Sequence, residues 1–451
     1  MLKKLLAVLQ ELARQLQELI PFDRGSNHFY LKVLLTLLIL CKSIQVYQSR
    51  PMKFYYNSDH RLMKAFLEKS RIKQTVFRPH FLLLWHATQT FAYCIAEMLS
   101  QRFLHETFDD ELFETADGGT VGVAWAYDKD DKGVKCGRPT GKRGQKPILL
   151  LCPGLGGGIY NLYTTALLRY ARRRGYKVGT VYFRCTEGIP VTSPKLNHAG
   201  SWQDFKVVVE HVHNKYVLDK QTGQKKTRLY AFGCSLGAII LALYLAAEGD
   251  RATRYLDGAV LYATPWNTRD GFDFFCNTFY GLYARAIGAN LNRDLRLKVL
   301  PRMKHLLSEE DYAHYKHVLD TNTVGLPVLD SQVYTKMYGY RDVWDFYDYV
   351  TVSDKILKIR VPTFALSAVD DQVAGDAFLP RKQAQAPDSH ICIATTDYGA
   401  HCAHMAGRLL PKSWYPLPCM EFIEFLESRR QFSSSPTLSE RSTGLSTPSP
   451  A

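Results

Sequence analysis

Ser235 is the residue of this chain best placed to do chemistry, because it occupies the centre of a G-x-S-x-G pattern. An apolar strand pattern begins at Tyr230, and an apolar helix pattern follows directly from Leu236. Such a sharp strand-to-helix turn forces the serine into a strained backbone conformation, which only small flanking residues such as Gly233 and Gly237 permit. The pattern therefore predicts an exposed, nucleophilic serine hydroxyl. The alternative is an ordinary glycine-rich turn.

A serine hydroxyl is a weak nucleophile near neutral pH, so it needs a histidine base and a carboxylate that orients this histidine. An apolar run at 361–368 is followed by Asp370 and Asp371, and a carboxylate at the C-terminal end of a strand faces the catalytic edge of a sheet. Asp371 is the predicted acid because a D-x-hydrophobic pattern starts there, and Asp370 is the alternative. His401 lies on a glycine-containing loop beyond the next apolar run, which makes it the predicted base.

Acyl transfer also needs backbone N–H groups that stabilise the developing oxyanion. The apolar run 147–152 is typical of a buried strand and leads into a loop with four glycines at 154–158. We predict the N–H groups of Leu155 and Leu236 as the two donors. The alternative is a phosphate-binding loop, but a P-loop would carry Gly-Lys-Ser/Thr, and a dinucleotide site would carry an acidic residue where Arg184 stands.

His401 and His404 lie three residues apart and could act as metal ligands on one helix face. No third ligand is evident nearby, so we predict no metal and no cofactor and assign His404 to packing around the site.

Further segments between about 77 and 425 strengthen this interpretation. They are Arg78-Pro79, Trp85 to Thr90, Ala116 to Gly119, Pro153 to Gly157, Arg184 to Pro190, Asn197 to Gly200, Tyr262 to Trp266 and Lys358 to Pro362. In these segments the chain resembles a branch of the α/β-hydrolases that includes mammalian α/β-hydrolase domain-containing proteins types 1, 2 and 3 and the fungal medium-chain ethyl ester synthase/esterases. The chain departs from the usual pattern at Pro153, where the branch has histidine, and at Ala400, where it has glycine.

The resemblance implies ester hydrolysis on lipid substrates, with Ser235, Asp371 and His401 as the catalytic triad. Monoacylglycerols, medium-chain esters and phospholipids are all open as substrates. An acyltransferase is the nearest alternative, because an alcohol in place of water would turn the same acyl-enzyme into a new ester. A lipid-binding or scaffolding protein without turnover is the non-enzymatic alternative, and the two departures motivate it.

Alternating apolar strands and helical patterns predict an α/β protein with a mostly parallel sheet and helices on both faces. The resemblance implies that this is the α/β-hydrolase fold. The stretch from Ser235 to Asp371 exceeds what two βα units require, so we predict a helical cap insertion at about 265–358. Its aromatic segment 271–283 suits an acyl-chain pocket or a membrane-facing lid, and a helix packed on the core is the alternative.

Three regions are predicted along the chain: an amphipathic helix and probable membrane anchor at 1–50, the hydrolase domain at 51–427, and a disordered Ser/Thr/Pro-rich tail at 428–451. Leucines at helical spacing between 2 and 20 form the amphipathic stripe, and the apolar stretch 29–46 is interrupted by Lys32 and Lys42. For 29–46 we favour a marginal span or re-entrant helix, with interfacial attachment next. No signal peptide is predicted.

The formal net charge of +14 arises from dispersed basic residues, without any recognisable nucleic-acid-binding module. Attraction to anionic lipid headgroups is the functional interpretation, and a plain solvated surface is the alternative. Ten scattered cysteines and the lack of an N-x-Ser/Thr sequon favour a cytosol-facing catalytic domain.

Overall fold

The computed structural model describes residues 29–103, 106–129, 135–140, 142, 145–186, 188–321 and 325–433. The strands are β1 Lys53–Tyr55, β2 Phe108–Glu114, β3 Thr120–Ala126, β4 Asp128–Lys129, β5 Lys135–Cys136, β6 Ile148–Cys152, β7 Lys177–Tyr182, β8 Leu229–Cys234, β9 Gly258–Tyr262, β10 Thr363–Ala368, β11 Ile391–Thr396, β12 Met405–Ala406 and β13 Lys412–Ser413. Nine of them form one sheet in the order β1-β11-β10-β9-β8-β6-β7-β3-β2.

The sheet is parallel from β7 to β11 and antiparallel at its edges, where β1 pairs with β11 and where β3 pairs with β7 and β2. Every residue of β6 and β8 is buried, so these strands are apolar on both faces. Strands of this kind belong in parallel sheets that are covered by helices on both sides. The predicted mostly parallel sheet is confirmed.

The helices are α1 Phe29–Gln48, α2 Arg61–Lys69, α3 His86–Phe103, α4 Leu162–Arg173, α5 Trp202–Val212, α6 Leu236–Glu248, α7 Ala252–Tyr255, α8 Thr268–Asn277, α9 Leu282–Asp294, α10 Leu300–Met303, α11 Glu309–Asp320, α12 Leu326–Leu329, α13 Thr335–Tyr338, α14 Val343–Val350, α15 Arg381–Ala384 and α16 Pro416–Ser433. Single turns of other helix types also occur, among them Asp330–Tyr334.

Successive residues of β6 belong to two different cores, because strand side chains alternate between the faces of a sheet. Ile148 and Leu150 pack in the core formed with α5 and α6. Leu149 and Leu151 pack in the core formed with α4 and α16. The helix layers predicted for both faces of the sheet are therefore present.

Helix α6 is apolar almost all round and buries ten consecutive residues, Gly237 to Ala246, as expected of a helix enclosed in a core. It ends at Gly249, whose φ of +48° favours glycine, as the sequence predicts. Its first residue follows Ser235 directly, so the core fixes the position of the serine.

The parallel register brings the predicted site residues to one edge of the sheet. Cys152 of β6 lies opposite Gly233 of β8, and Ala368 of β10 lies opposite Thr396 of β11. The loops that carry Leu155, Ser235, Asp371 and His401 leave the carboxyl ends of these strands. Open α/β sheets bind their ligands at this edge.

The chain between β9 and β10 is helical, with α8 to α14 in the region predicted as a cap. The exact limits 265–358 stay a prediction. In the aromatic segment, Phe272 and Phe275 line a cavity next to Ser235, Phe272 also packs against the core, and Phe274 is exposed. The use of this segment as an acyl-chain pocket or a membrane-facing lid stays a prediction.

The amphipathic helix predicted at 2–20 lies outside the described residues. The stretch 29–46 is helical, within α1. Across the described ranges, we find no helix whose length and hydropathy would let it cross a bilayer.

The last helix, α16, extends past the predicted domain end at 427 and reaches Ser433. The sequence contains no glycine or proline between 428 and Pro436, so nothing in its composition stops the helix at the predicted boundary. The rest of the predicted tail lies outside the described residues.

Candidate active site

The backbone at Ser235 is strained, with φ +53° and ψ −120°. The glycines two positions before and after Ser235 have no space for a side chain. A Cβ on Gly233 would lie 2.6 Å from the carbonyl oxygen of Gly237, and a Cβ on Gly237 would lie 2.2 Å from that of Cys152. Non-glycine residues at positive φ cost free energy and persist where the surroundings enforce them. The predicted turn is present, and it turns Ser235 outward at the N-terminus of α6.

Gly237→Ala is therefore expected to lower the free energy of unfolding by at least about 2 kcal/mol, because the new methyl group meets backbone atoms that cannot rotate away. Urea titration measures the change. Gly158→Ala is the matched control: its Cβ would meet no atom closer than 3.9 Å, so we expect no loss of stability. Equal stability of the two variants would contradict the tight packing of the turn.

The structure brings the three predicted residues Ser235, His401 and Asp371 into one hydrogen-bonded chain. Ser235 Oγ lies 2.8 Å from His401 Nε2. His401 Nδ1 lies 2.9 Å from Asp371 Oδ2 and 3.0 Å from Oδ1. This arrangement can take the proton from the serine as the serine attacks. Their catalytic role stays a prediction.

Burial and charge set the protonation states of His401 and Asp371. Burial alone would lower the pKa of His401, but the Asp371 carboxylate beside it outweighs burial and holds that pKa well above its ordinary value. Burial alone would raise the pKa of Asp371, and the facing His401, with the N–H groups of Val373 and Ala374, keeps it lowered instead. Asp371 is only 1% exposed. The two residues therefore favour an ionised Asp371 carboxylate, which stabilises the positively charged imidazolium of His401.

Asp370, the alternative acid, has a different role in the structure. Its Oδ1 accepts a hydrogen bond from Ala400 N at 2.8 Å, and its Oδ2 is buried with no partner among the described residues. Burial raises the pKa of Asp370 to about 7. Asp370 thus supports the loop that carries His401, whereas Asp371 contacts the imidazole.

Two residues that the sequence analysis did not assign tie the acid and base loops together. Gln372 Oε1 accepts from His401 N at 3.3 Å, and Gln372 Nε2 donates to Thr90 Oγ1 at 2.9 Å. Gln89 Oε1 accepts from Met405 N at 3.2 Å. The segment Trp85 to Thr90, which carries part of the resemblance, therefore positions both loops from α3.

The predicted oxyanion donors lie beside the serine. Leu155 and Leu236 both line the same cavity as Ser235 and His401. The N–H group of Gly154 is used by the Tyr163 hydroxyl, at 2.8 Å, which fixes the loop just before Leu155. Leu236 is the first residue of α6, where the helix dipole favours negative charge. Their role as oxyanion donors stays a prediction.

The site opens into a cavity of about 470 Å³ beneath the helices between β9 and β10. Its walls are largely apolar and come from the elements α3, α8, α9 and α14. Side chains on these walls include Tyr93, Phe272, Phe275, Ile287 and Phe346. A cavity of this size and polarity can hold an alkyl chain next to Ser235.

His404 does not share a site with His401. Both of its ring nitrogens are hydrogen-bonded to hydroxyl groups, Nδ1 to Tyr262 at 3.0 Å and Nε2 to Thr396 at 2.9 Å. Burial lowers the pKa of His404 to about 3. Within the described ranges, no group of three or more His, Cys, Asp or Glu side chains could hold a metal ion. His404 packs against the site, in the place predicted for it.

Two free thiols flank the nucleophile and the base. Cys234 precedes Ser235, Cys402 follows His401, and their Sγ atoms are 3.4 Å apart in a buried position. Burial raises the pKa of Cys402 well above its ordinary value. No pattern in the sequence marks this pair, because it forms only when the two loops meet.

The chain is similar over much of its length to several known proteins, among them a phospholipase and a monoacylglycerol lipase. The chain is 25% identical to protein abhd-3.2 of Caenorhabditis elegans, over 83% of this chain and 92% of that one. It is 22% identical to phospholipase ABHD3 of Homo sapiens, over 66% and 67%, and 26% identical to monoacylglycerol lipase of Saccharomyces cerevisiae, over 62% and 59%.

No protein-family model matches the chain. The assignment rests instead on these relatives and on the architecture, in which a strained serine follows a central parallel strand and helices cover both faces of the sheet. Together they support an α/β-hydrolase family for this chain.

Proposed function

We propose that this protein hydrolyses carboxylic esters of lipids through an acyl-enzyme formed on Ser235. The observation that carries this proposal is the hydrogen-bonded chain from Ser235 through His401 to Asp371 at the end of an apolar cavity. The names of the relatives, a phospholipase and a monoacylglycerol lipase, support the enzyme class, a carboxylic ester hydrolase.

In the first step His401 Nε2 takes the proton of Ser235 as its oxygen attacks the ester carbonyl carbon. The N–H groups of Leu155 and Leu236 stabilise the resulting oxyanion. The imidazolium then protonates the leaving alcohol, and the acyl group stays on Ser235. Water, deprotonated by His401, releases the acid in the second step.

The apolar cavity supports a lipid rather than a short polar ester. Phe272, Phe275 and Ile287 provide walls that an alkyl chain would contact, so burial of each methylene would add about 0.8 kcal/mol to binding. The predicted substrates, monoacylglycerols, medium-chain esters and phospholipids, all contain such a chain.

The pH dependence of hydrolysis tests the proposed base. His401 accepts the serine proton only when it is neutral, so activity falls as the pH drops through its pKa. Because Asp371 raises this pKa, kcat/KM for a neutral ester is expected to rise to a plateau with a midpoint above about 6.5. Release of free acid, titrated over a pH series, gives the profile. A midpoint at or below 6.5, or no acid release at any pH, would contradict the proposal.

We also propose that the protein attaches to a lipid surface beside the cavity. Helix α3 lines the cavity with Thr90, Cys94 and Glu97, and a neighbouring face of the same helix is apolar and exposed. The exposed apolar side chains on α1 and α3 include Leu34, Leu35, Leu37, Ile39, Phe91, Ile95, Met98 and Leu99. Exposed apolar patches of this kind are typical of interaction sites.

Flotation with vesicles that contain anionic lipid tests the attachment, since the net charge of +14 favours such membranes. Co-flotation is expected, and alkaline carbonate then separates interfacial binding, which it releases, from an integral segment. Protein that stays at the bottom of the gradient with every vesicle would contradict attachment.

A further inference from the structure

Asp330 is a carboxyl group in the wall of the apolar cavity with no part in the hydrolytic steps. It starts the single helical turn Asp330–Tyr334 and is 8% exposed. Leu326, Tyr334 and Phe346 line the same cavity. Burying a carboxyl among such side chains is unfavourable unless its oxygens find partners.

The two oxygens of Asp330 differ in their contacts. Oδ2 accepts a hydrogen bond from the Tyr347 hydroxyl at 2.8 Å. Among the described residues, Oδ1 has no donor. Glu97, which also lines the cavity, accepts two hydrogen bonds at Oε2, from Tyr93 and from Leu162 N. Asp330 therefore offers one unused oxygen to whatever fills the cavity.

The protonation of Asp330 limits which group can satisfy this oxygen. Burial raises the pKa of Asp330 to about 7, so both forms are present near neutral pH. The charged form needs a donor at Oδ1, and the neutral form can place its proton there and then needs an acceptor. A hydroxyl group is both donor and acceptor, so it pairs with either form, whereas a plain alkyl chain pairs with neither.

We propose that Asp330 binds a hydroxyl group of the lipid ester and so selects hydroxylated substrates over plain alkyl ones. This inference rests on the proposed function. The hydroxyl can belong to the acyl chain or to the alcohol part of the ester, and the experiment below has an arm for each source.

A purely structural role for Asp330 would not explain why its second oxygen, Oδ1, has no hydrogen-bond donor among the described residues. The bond from Tyr347 to Oδ2 already links Asp330 to α14, and the Thr335 hydroxyl donates to the backbone carbonyl of Asp330 at 2.7 Å. Neither contact uses Oδ1. If Asp330 served only to hold the helices together, substrates with and without a hydroxyl would respond equally to its loss.

The test compares kcat/KM within matched ester pairs. In the first arm, ω-hydroxyacyl and unsubstituted acyl 4-nitrophenyl esters of several equal chain lengths are compared. In the second arm, a monoacylglycerol is compared with the ethyl ester of the same acid. We expect the wild type to prefer the hydroxylated member of one arm by about 10-fold or more.

Three variants test whether Asp330 causes the preference for hydroxylated esters. Asp330→Leu keeps the branched arrangement of the side-chain heavy atoms but cannot form hydrogen bonds, so the ratio is expected to fall to about 1. Asp330→Asn restores a donor and an acceptor and is expected to recover part of the ratio. Tyr347→Phe removes the structural bond but keeps the carboxyl group, so the preference is expected to persist. Thermal unfolding and fluorophosphonate labelling verify that each variant is folded and has an active serine.

Equal kcat/KM within both pairs, or a preference that Asp330→Leu leaves intact, would overturn the inference while the proposed function stands. A choline ester can also be compared with its neutral 3,3-dimethylbutyl isostere. If the preference for the choline ester exceeds the preference for every hydroxylated ester, the inference is overturned, because the carboxylate would then bind a cation. Folded wild-type protein that hydrolyses none of these esters and takes up no fluorophosphonate would overturn the proposed function as well.

Discussion

Asp371→Asn is expected to lower kcat about 10⁴-fold, whereas the neighbouring Asp370→Asn lowers it less than about 10-fold. The carboxylate of Asp371 contacts His401 Nδ1 through both oxygens, at 2.9 and 3.0 Å. An amide there would favour the wrong imidazole tautomer and would no longer stabilise the imidazolium. Steady-state ester hydrolysis by both variants measures the difference.

The small effect at Asp370 has a separate physical reason. Its pKa of about 7 means that the neutral acid is well populated, and an amide resembles that form. Asparagine also keeps an oxygen that can accept from Ala400 N. The two variants form a matched pair at adjacent positions. A larger loss of kcat in Asp370→Asn than in Asp371→Asn would contradict this assignment and make Asp370 the catalytic acid.

Ser235→Ala is expected to lower kcat about 10⁵-fold or more, because the residue that would carry the acyl group is removed. The fold should survive, since alanine occupies the same strained turn with a shorter side chain and the glycines around it are unchanged. Ester hydrolysis and urea unfolding of the same preparation separate the two effects.

A control for this variant comes from a second serine, Ser367. Ser367 lies in β10, buried, with its hydroxyl unpaired among the described residues. Ser367→Ala is expected to leave kcat within a few-fold of the wild type. Substantial turnover that remains in Ser235→Ala would contradict the assignment of the nucleophile.

The parallel part of the sheet was predictable because its central strands, such as β6 and β8, are apolar on both faces and are separated by helical patterns. The runs predicted at 147–152 and 361–368 correspond to β6 and β10 within two residues. Ser235 was predictable from local sequence, since the glycines that its strained turn requires lie two positions away on either side. His401 and Asp371 were predictable because each follows an apolar run whose end faces the catalytic edge of the sheet.

The contacts between distant segments could not be predicted in this way. Gln372 and Thr90 are 282 positions apart, and Cys234 and Cys402 are 168 positions apart. Asp330 appears in the sequence as one acidic residue among many, and only its burial in the cavity wall distinguishes it. Such properties depend on how the helices between β9 and β10 pack, and local pattern does not determine that packing.

Covalent labelling of the wild type with a fluorophosphonate, followed by mass spectrometry of its peptides, tests the central claim most directly. Activated serines react with this probe, and the adduct stays on the reacting oxygen. The account predicts one adduct, on the peptide that contains Ser235, and its loss in His401→Ala. An adduct on a different serine, or none on folded wild-type protein, would contradict it.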